Sequence, residues 1–179
     1  PEWHFQHDAG RPLAEMTAEL TAQYPHYGPM IEAYRTRFNE TIPGPVPGSL
    51  DIVNDLAAQG VPLFAITNFG AEFWEGFRPT QAIFDLFGDI VVSGVEKLVK
   101  PDPAIYALAL DRFGLQPGEA IFVDDNHANV VSARANGFAY DPSGKASPPA
   151  RPGVHNFGDW PLRDLRGSID WTPFFRAWE

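Results

Sequence analysis

The pattern of apolar and polar positions divides the chain into a helical first part and a mixed second part. Between residues 11 and 38, apolar residues repeat at helical spacing in two stripes, one on each side of the break YPHYGP: Leu13, Met16 and Leu20, then Ile31, Tyr34 and Phe38. This spacing predicts two amphipathic helices. The segment TIPGPVPGS (41–49) contains three prolines and two glycines, which predicts a stiff connector between two structural units.

From Leu50 onward the pattern alternates between helix and strand. Four apolar runs predict strands: VPLFAIT (61–67), DIVVS (89–93), AIFV (120–123) and FAY (138–140). Helical segments are predicted over residues 50–59, 102–113 and 127–136, and a glycine follows each of them. Continuous apolar strands that alternate with helices predict a Rossmann-like α/β fold, in which a parallel sheet carries helices on both faces.

Polar residues follow three of the predicted strands. Thr67-Asn68 follows the first, Lys100 follows the second after the loop GVEKLV, and Asp124-Asp125 directly follows the third. Ligands of parallel sheets bind beyond the carboxyl ends of the strands, so these residues are expected to meet at one edge. Each group has an ordinary structural explanation by itself: a turn, a solvated lysine, or acids at a helix start. Their occurrence after successive strands favours a functional site.

The residue types at this edge suit phosphoryl chemistry. Adjacent carboxylates repel each other unless a cation lies between them, and Mg²⁺ prefers a few carboxylates together with water and phosphate. The Thr67 hydroxyl and nearby amides can bind phosphate oxygens, and Lys100 can neutralise their charge. The sequence therefore predicts Mg²⁺ as cofactor and an electrostatic site for phosphoryl transfer.

Composition excludes several other classes of protein. The 44% of apolar residues suffices for a buried core, whereas the net charge of −10 disfavours nucleic acids and anionic membrane surfaces as partners. The absence of cysteine removes disulfides and thiolate chemistry and fits a reducing compartment, so a cytoplasmic protein is expected. No stretch approaches a membrane span. The first residues resemble no signal peptide and lack an initiator methionine, so we expect the chain to begin inside a longer protein.

Residues 43–140 resemble the core of haloacid dehalogenase-like (HAD) hydrolases, most closely the phosphatases with a helical cap. The resemblance is carried by LFAITN, LVKPDPAIY and IFVDDNHANVVSARANGF. It implies that Thr67 and Asn68 bind the phosphate and that Lys100 is the active-site lysine. It also implies that Asp124 and Asp125 lie on the Mg²⁺ side, with Asp125 as the direct ligand and Asp124 and Asn129 in support. Residues 1–42 resemble the second half of the helical cap.

The resemblance implies a mechanism whose first motif is absent from the sequence. In the family, an aspartate at the end of the first strand attacks phosphorus, and a second aspartate two residues later serves as acid and base. No apolar strand of this chain ends in D-x-D: Asp8 follows no strand, Asp51 and Asp55 lie in a predicted helix, and Asp170 follows too short a run. We therefore expect the central strand and the nucleophile to be missing, and the chain alone to be inactive.

The last part of the chain has a different character. After a core that we place at residues 43–141, residues 142–179 read as a Pro-rich linker and an aromatic-rich tail. This tail resembles the start of the reactivation domain of cobalamin-dependent methionine synthase, on VHNFGDWPL and IDWTPFFRAWE (169–179). The resemblance places Asp170 in an S-adenosylmethionine site, but most of that domain is absent, so binding is not expected. The alternative is a tail that packs on the sheet through its five large aromatic side chains: Trp160, Trp171, Phe174, Phe175 and Trp178.

Three other functions remain alternatives to a phosphatase of small phosphorylated metabolites. They are a dehalogenase of 2-haloacids, a non-catalytic binding module, and a piece related to methionine synthase. The paired acids Asp124 and Asp125 favour Mg²⁺ and phosphate over dehalogenation, because the dehalogenases of the family use no metal. The sequence leaves the substrate and the oligomeric state open.

Overall fold

A computed structural model describes residues 2–139 of the chain, and the predictions made for residues 140–179 lie outside these residues. The described part contains eight α-helices and two strands: α1 (Glu2–Asp8), α2 (Leu13–Gln23), α3 (Gly28–Arg37), α4 (Ser49–Ala58), β1 (Phe64–Thr67), α5 (Ala71–Phe77), β2 (Asp89–Val92), α6 (Ser93–Glu96), α7 (Pro103–Phe113) and α8 (His127–Ala135). Short 3₁₀ turns lie at residues 25–27, 38–41, 78–80 and 82–86.

Helices α2 and α3 are the two helices that the apolar stripes predicted. Leu13 and Met16 of α2 and Ile31 of α3 are buried, and the 3₁₀ turn Pro25–Tyr27 stands at the predicted break. Helix α1 was not predicted from the sequence. It lies against the rest through edge-on ring contacts, among them Trp3 with Tyr34 at 5.4 Å between ring centroids.

The two strands are parallel and end side by side. Thr67 at the end of β1 pairs with Val92 at the end of β2. The α7 helix covers the sheet, and a core forms between β1, β2, α7 and α8, made of these buried residues: Ile66, Val91, Ile105, Tyr106, Ala109, Leu110, Ala133 and Phe138. The predicted α/β class is confirmed: helices pack on a small parallel sheet.

The prediction of a third full strand at residues 120–123 is wrong for the described structure. This segment makes one parallel bridge, between Ile121 and Ala139, and the Ala139 N–H donates to the Ala120 carbonyl at 2.7 Å. Ile121 and Val123 are 59% and 71% exposed, and no second strand pairs with this segment among residues 2–139. A strand is stabilised by the strands beside it, so an apolar run without a second neighbour stays irregular.

The connection from β2 to Lys100 also differs from the prediction of a plain loop. Residues 93–96 form the short helix α6, which ends at Lys97 in the left-handed conformation, with φ of 59°. No helix within residues 2–139 is both long and apolar enough to cross a lipid bilayer.

Candidate active site at the carboxyl ends of the strands

A pair of reciprocal hydrogen bonds joins the segment after β1 to the segment after β2. The Lys100 N–H donates to the Asn68 side-chain oxygen at 2.8 Å, and the Asn68 amide nitrogen donates to the Lys100 carbonyl at 3.0 Å. Asn68 therefore satisfies both backbone groups of Lys100. Because Thr67 directly precedes Asn68, this arrangement holds the predicted phosphate-binding segment beside the predicted active-site lysine.

The Lys100 ammonium group forms an ion pair with the first of the two adjacent acids. Its Nζ lies 2.6 Å from Asp124 Oδ2, and the two side chains are only 11% and 6% exposed. The same Nζ lies 5.6 Å from the centroid of the Phe122 ring, which covers it on one side. A pair this poorly hydrated must be well satisfied, because the loss of water around both charges is costly.

The second oxygen of Asp124 is held by the start of α8. It accepts hydrogen bonds from the Asn126 N–H and from the Asn129 side-chain amide, both at 2.9 Å. Asn129 is itself held in place, because its carbonyl accepts a hydrogen bond from the buried Tyr106 hydroxyl at 2.9 Å. The side-chain oxygen of Asn129 is buried and has no hydrogen-bond partner in the described part of the chain. Asp124 is thus bound through both oxygens.

Asp125 has different surroundings. It forms no salt bridge within residues 2–139, and burial raises its pKa, with the nearby charge of Asp124 acting in the same direction and Lys100 acting against it. A cation beside Asp125 would relieve this repulsion. Of the two acids, Asp125 is therefore the better candidate for a direct metal ligand, because the oxygens of Asp124 already have partners.

The donor set of this edge fits Mg²⁺ only in part. Within residues 2–139, no three acidic or histidine side chains lie close enough together to hold a metal ion. Mg²⁺ commonly binds one or two carboxylates and takes the rest of its six ligands from water and phosphate. Asp125, with Asp124 beside it, fits that limited share of a site.

One residue that the sequence analysis did not single out completes the edge. Ser93, fully buried after β2, accepts a hydrogen bond from the Phe69 N–H at 2.9 Å, and the Gly94 N–H donates to the Phe69 carbonyl at 3.0 Å. The segments after β1 and β2 are thereby joined at a second place. The position of Ser93 at the end of an apolar run was the signal that could have identified it.

The structure brings the predicted site residues together at one edge. Hydrogen bonds and an ion pair run without interruption from Asn68 through Lys100 and Asp124 to Asn129. Thr67 and Asp125 each stand one residue from a member of this network. The site is thus a charged edge at the carboxyl ends of parallel strands, an arrangement that α/β enzymes use for ligands.

Comparison with known proteins identifies the family. The model of the haloacid dehalogenase-like hydrolase family matches residues 5–137, and the chain belongs to this family. The match extends over all the residues of the charged edge.

Several curated relatives carry the name of a phosphatase. The chain is 35% identical over 86 residues to the sesquiterpene phosphatase astK of Aspergillus oryzae, covering 48% of this chain and 44% of the relative. It is 35% identical over 83 residues to the phosphoglycolate phosphatase of Pectobacterium atrosepticum, covering 46% of this chain and 35% of the relative.

A third relative has a different name. The chain is 30% identical over 135 residues to acyl-CoA dehydrogenase family member 10 of Mus musculus, covering 75% of this chain and 12% of the relative.

The chain spans less than half the length of each of these three relatives. No solved structure gives a significant match. These comparisons support a hydrolase of a family that includes phosphatases.

Proposed function

We propose that the chain is part of a Mg²⁺-dependent phosphatase that acts on a small phosphorylated metabolite through an aspartyl-phosphate. The observation that carries the proposal is the buried network from Asn68 through Lys100 to Asp124. This network holds an ammonium group, an amide group and the Asp124 carboxylate together at one edge, and Asp125 is the next residue. The matching family and the phosphatase names of two relatives support the same chemistry.

One group of residues at the edge would bind the phosphate, and another would bind the metal ion. The Thr67 hydroxyl, the Asn68 segment and Lys100 would bind and orient the phosphate oxygens, and Lys100 would also neutralise charge as the phosphoryl group is transferred. Asp125 would hold Mg²⁺ directly, and Asp124 would support it. When bound, Mg²⁺ would reduce the repulsion between an attacking carboxylate and the phosphate dianion.

We propose that the nucleophile belongs to a strand that this sequence does not include. Ile121 and Val123 are exposed on a segment whose only bridge within residues 2–139 goes to Ala139, and β1 pairs only with β2 in the same range. An apolar strand ending in D-x-D would cover these side chains and bring its acids to the carboxyl edge beside Lys100 and Asp125. The chain by itself would then lack the attacking group.

The metal assignment is tested by titrating Mg²⁺ into the chain and into the Asp125→Ala variant. We expect Mg²⁺ to raise the melting temperature of the unsubstituted chain and to leave that of Asp125→Ala unchanged, because a ligand that binds only the folded state stabilises it. Asp111→Ala is the matched control, since Asp111 is an exposed acid on α7, away from the paired acids. Equal Mg²⁺ affinity in all three proteins would refute the assignment.

The nucleophile assignment is tested on the coding sequence upstream of Pro1. If it encodes an apolar strand ending in D-x-D, the extended protein should hydrolyse p-nitrophenyl phosphate, whereas the chain alone should not. Replacing the first aspartate of that motif by asparagine should abolish the activity. Hydrolysis by the chain alone at a comparable rate would show that the nucleophile lies within residues 1–179.

A further inference from the structure

The end of α1 reaches the two segments that form the charged edge. Gly10, which follows α1, has a φ of +90°, and a Cβ added there would lie 2.7 Å from a side-chain carbon of Lys97 and 3.0 Å from the Gly94 carbonyl oxygen. Gly94 and Lys97 belong to the connection between β2 and Lys100. The first helix of the chain therefore packs directly against backbone that leads into the site.

His7, in the last turn of α1, packs against the segment after β1. Its ring is 1% exposed and meets the Phe73 ring edge-on at 4.7 Å between centroids. A Cβ added to Gly70 would lie 2.0 Å from two atoms of the imidazole, so the ring rests on the bare Cα of Gly70. Gly70 follows Asn68 by two residues. The contact leaves no space between α1 and the predicted phosphate-binding segment.

Within residues 2–139, the polar contacts of the His7 ring are made by Nδ1, which lies 3.7 Å from Glu72 Oε2. Nδ1 lies 3.1 Å from the Arg11 carbonyl, which can only accept, so this nitrogen carries the proton and donates. Nε2 is buried and has no hydrogen-bond partner among residues 2–139. A buried nitrogen without a partner is unfavourable, and its presence here indicates that the shape of the ring against Gly70 determines its position.

Gly70 has a second close neighbour besides His7. The side of Gly70 toward β2 is equally close, since a Cβ added to Gly94 would lie 2.9 Å from the Gly70 Cα and 2.7 Å from the Phe69 carbonyl oxygen. Gly70 is thus enclosed between α1 and the segment after β2.

We propose that His7 is a positioning residue for the charged edge: its ring packs on Gly70 and thereby keeps Thr67 and Asn68 in place beside Lys100. The proposal rests on the proposed function for its phosphate-binding part. It assigns to the helical part of the chain a direct influence on phosphate affinity, exerted through the packing of a ring on a glycine.

The first experiment measures the binding of inorganic phosphate in the presence of Mg²⁺ by calorimetry. His7→Ala should weaken binding by roughly tenfold to a hundredfold, because a displacement of about 1 Å in a binding group can cost that much. His7→Phe keeps the ring and should bind within about threefold of the unsubstituted chain, a difference of less than ~1 kcal/mol. Phe5→Ala, on the exposed side of the same helix, is the matched control and should leave affinity unchanged.

A second pair of variants tests the contact itself. The φ of −64° at Gly70 suits alanine, so Gly70→Ala should harm phosphate binding only through the overlap with the His7 ring. His7→Ala combined with Gly70→Ala places the new methyl group in the space left by the ring, and it should restore binding relative to Gly70→Ala alone. Simple additivity of the two losses would overturn the proposal.

Amide hydrogen exchange separates this proposal from the proposed function. The Phe69 N–H donates to the Ser93 hydroxyl oxygen, and the Gly94 N–H donates to the Phe69 carbonyl. Both N–H groups should exchange faster in His7→Ala than in Phe5→Ala. If Lys100→Ala leaves phosphate affinity unchanged, the phosphatase assignment fails, and the exchange result still decides whether His7 positions the segment. Unchanged exchange in His7→Ala, or equal losses of affinity in His7→Ala and His7→Phe, would refute the positioning role.

Discussion

Two clusters of charged side chains lie near opposite ends of α7, and they differ in how far they are exposed to water. The Lys100–Asp124 pair lies before the start of α7 at the carboxyl edge of the sheet, and its side chains are 11% and 6% exposed. Near the other end of α7, Arg112 binds Asp89 through two nitrogens and also pairs with Glu96, with about a quarter to a third of each side chain exposed. Both clusters are geometrically well formed.

The difference in exposure determines what each cluster can do. Water screens the Arg112 cluster, so its ion pairs join α7 to β2 and α6 but contribute little energy. The Lys100–Asp124 pair is nearly dry, and an unbalanced charge there would be costly, so every oxygen of Asp124 has a donor. Charges held in a dry, pre-arranged edge act strongly on a ligand that carries charge into it. This difference favours the first cluster as the candidate site and the second cluster as a structural contact.

The largest effect is expected from removing one partner of the dry pair. Asp124→Ala should lower the free energy of unfolding by about 3–5 kcal/mol, because Lys100 would remain buried without a counter-charge. The Asn126 N–H and the Asn129 amide would also lose their acceptor. Urea denaturation at neutral pH measures the loss.

A double substitution is the control for this prediction. Lys100→Met combined with Asp124→Leu replaces both charges by apolar groups of similar size, and it should cost much less than Asp124→Ala alone. A loss for the double variant equal to that of the single variant would show that the stability of this edge does not depend on the pairing of its charges.

A smaller effect is expected from the hydroxyl that supports the dry edge. Tyr106→Phe should cost about 1 kcal/mol, because the fully buried hydroxyl donates to the Asn129 carbonyl and the ring itself would remain in place. Burial raises the pKa of Tyr106, and the charge of Asp124 adds to this, so Tyr106 should stay protonated at pH values where an exposed tyrosine ionises. Comparing the ultraviolet titration of the chain with that of Tyr106→Phe checks this, because the difference between the two curves reports Tyr106. Normal ionisation of all tyrosines would contradict it.

The smallest effect is expected at the exposed cluster. Arg112→Gln should cost about 0.5 kcal/mol or less at physiological salt, and the difference should shrink further as salt is raised. Arg112 lowers the pKa of Asp89, so the stabilisation from this pair is complete above the unfolded pKa of about 3.9 and is lost as the pH falls through the lower folded pKa. Denaturation curves between pH 2 and pH 7 measure this. A cost near that of Asp124→Ala would break the comparison of the two clusters.

The comparison of sequence and structure separates local signals from distant ones. Helix α7 agrees with its prediction because its limits are marked nearby: Asp102 caps the Ala104 N–H at 2.8 Å, Pro103 opens the helix, and Gly114 ends it with a φ of 66°. The strand predicted for AIFV at residues 120–123 did not form in full. The apolar character of this run shows that a strand would be favourable, but it does not show whether neighbouring strands are present.

The candidate site shows the same separation. The sequence by itself determined which groups stand at the ends of the apolar runs, because residue order and strand direction set this for any parallel sheet. Only the tertiary structure decided that Asn68 binds the backbone of Lys100, that both oxygens of Asp124 have donors, and that His7 rests on Gly70. The same holds for Asp125, which forms no salt bridge with any residue between 2 and 139. Three of these contacts, Asn68 with Lys100, Lys100 with Asp124 and His7 with Gly70, join residues 24 to 63 positions apart. They depend on how whole elements pack, which no local pattern encodes.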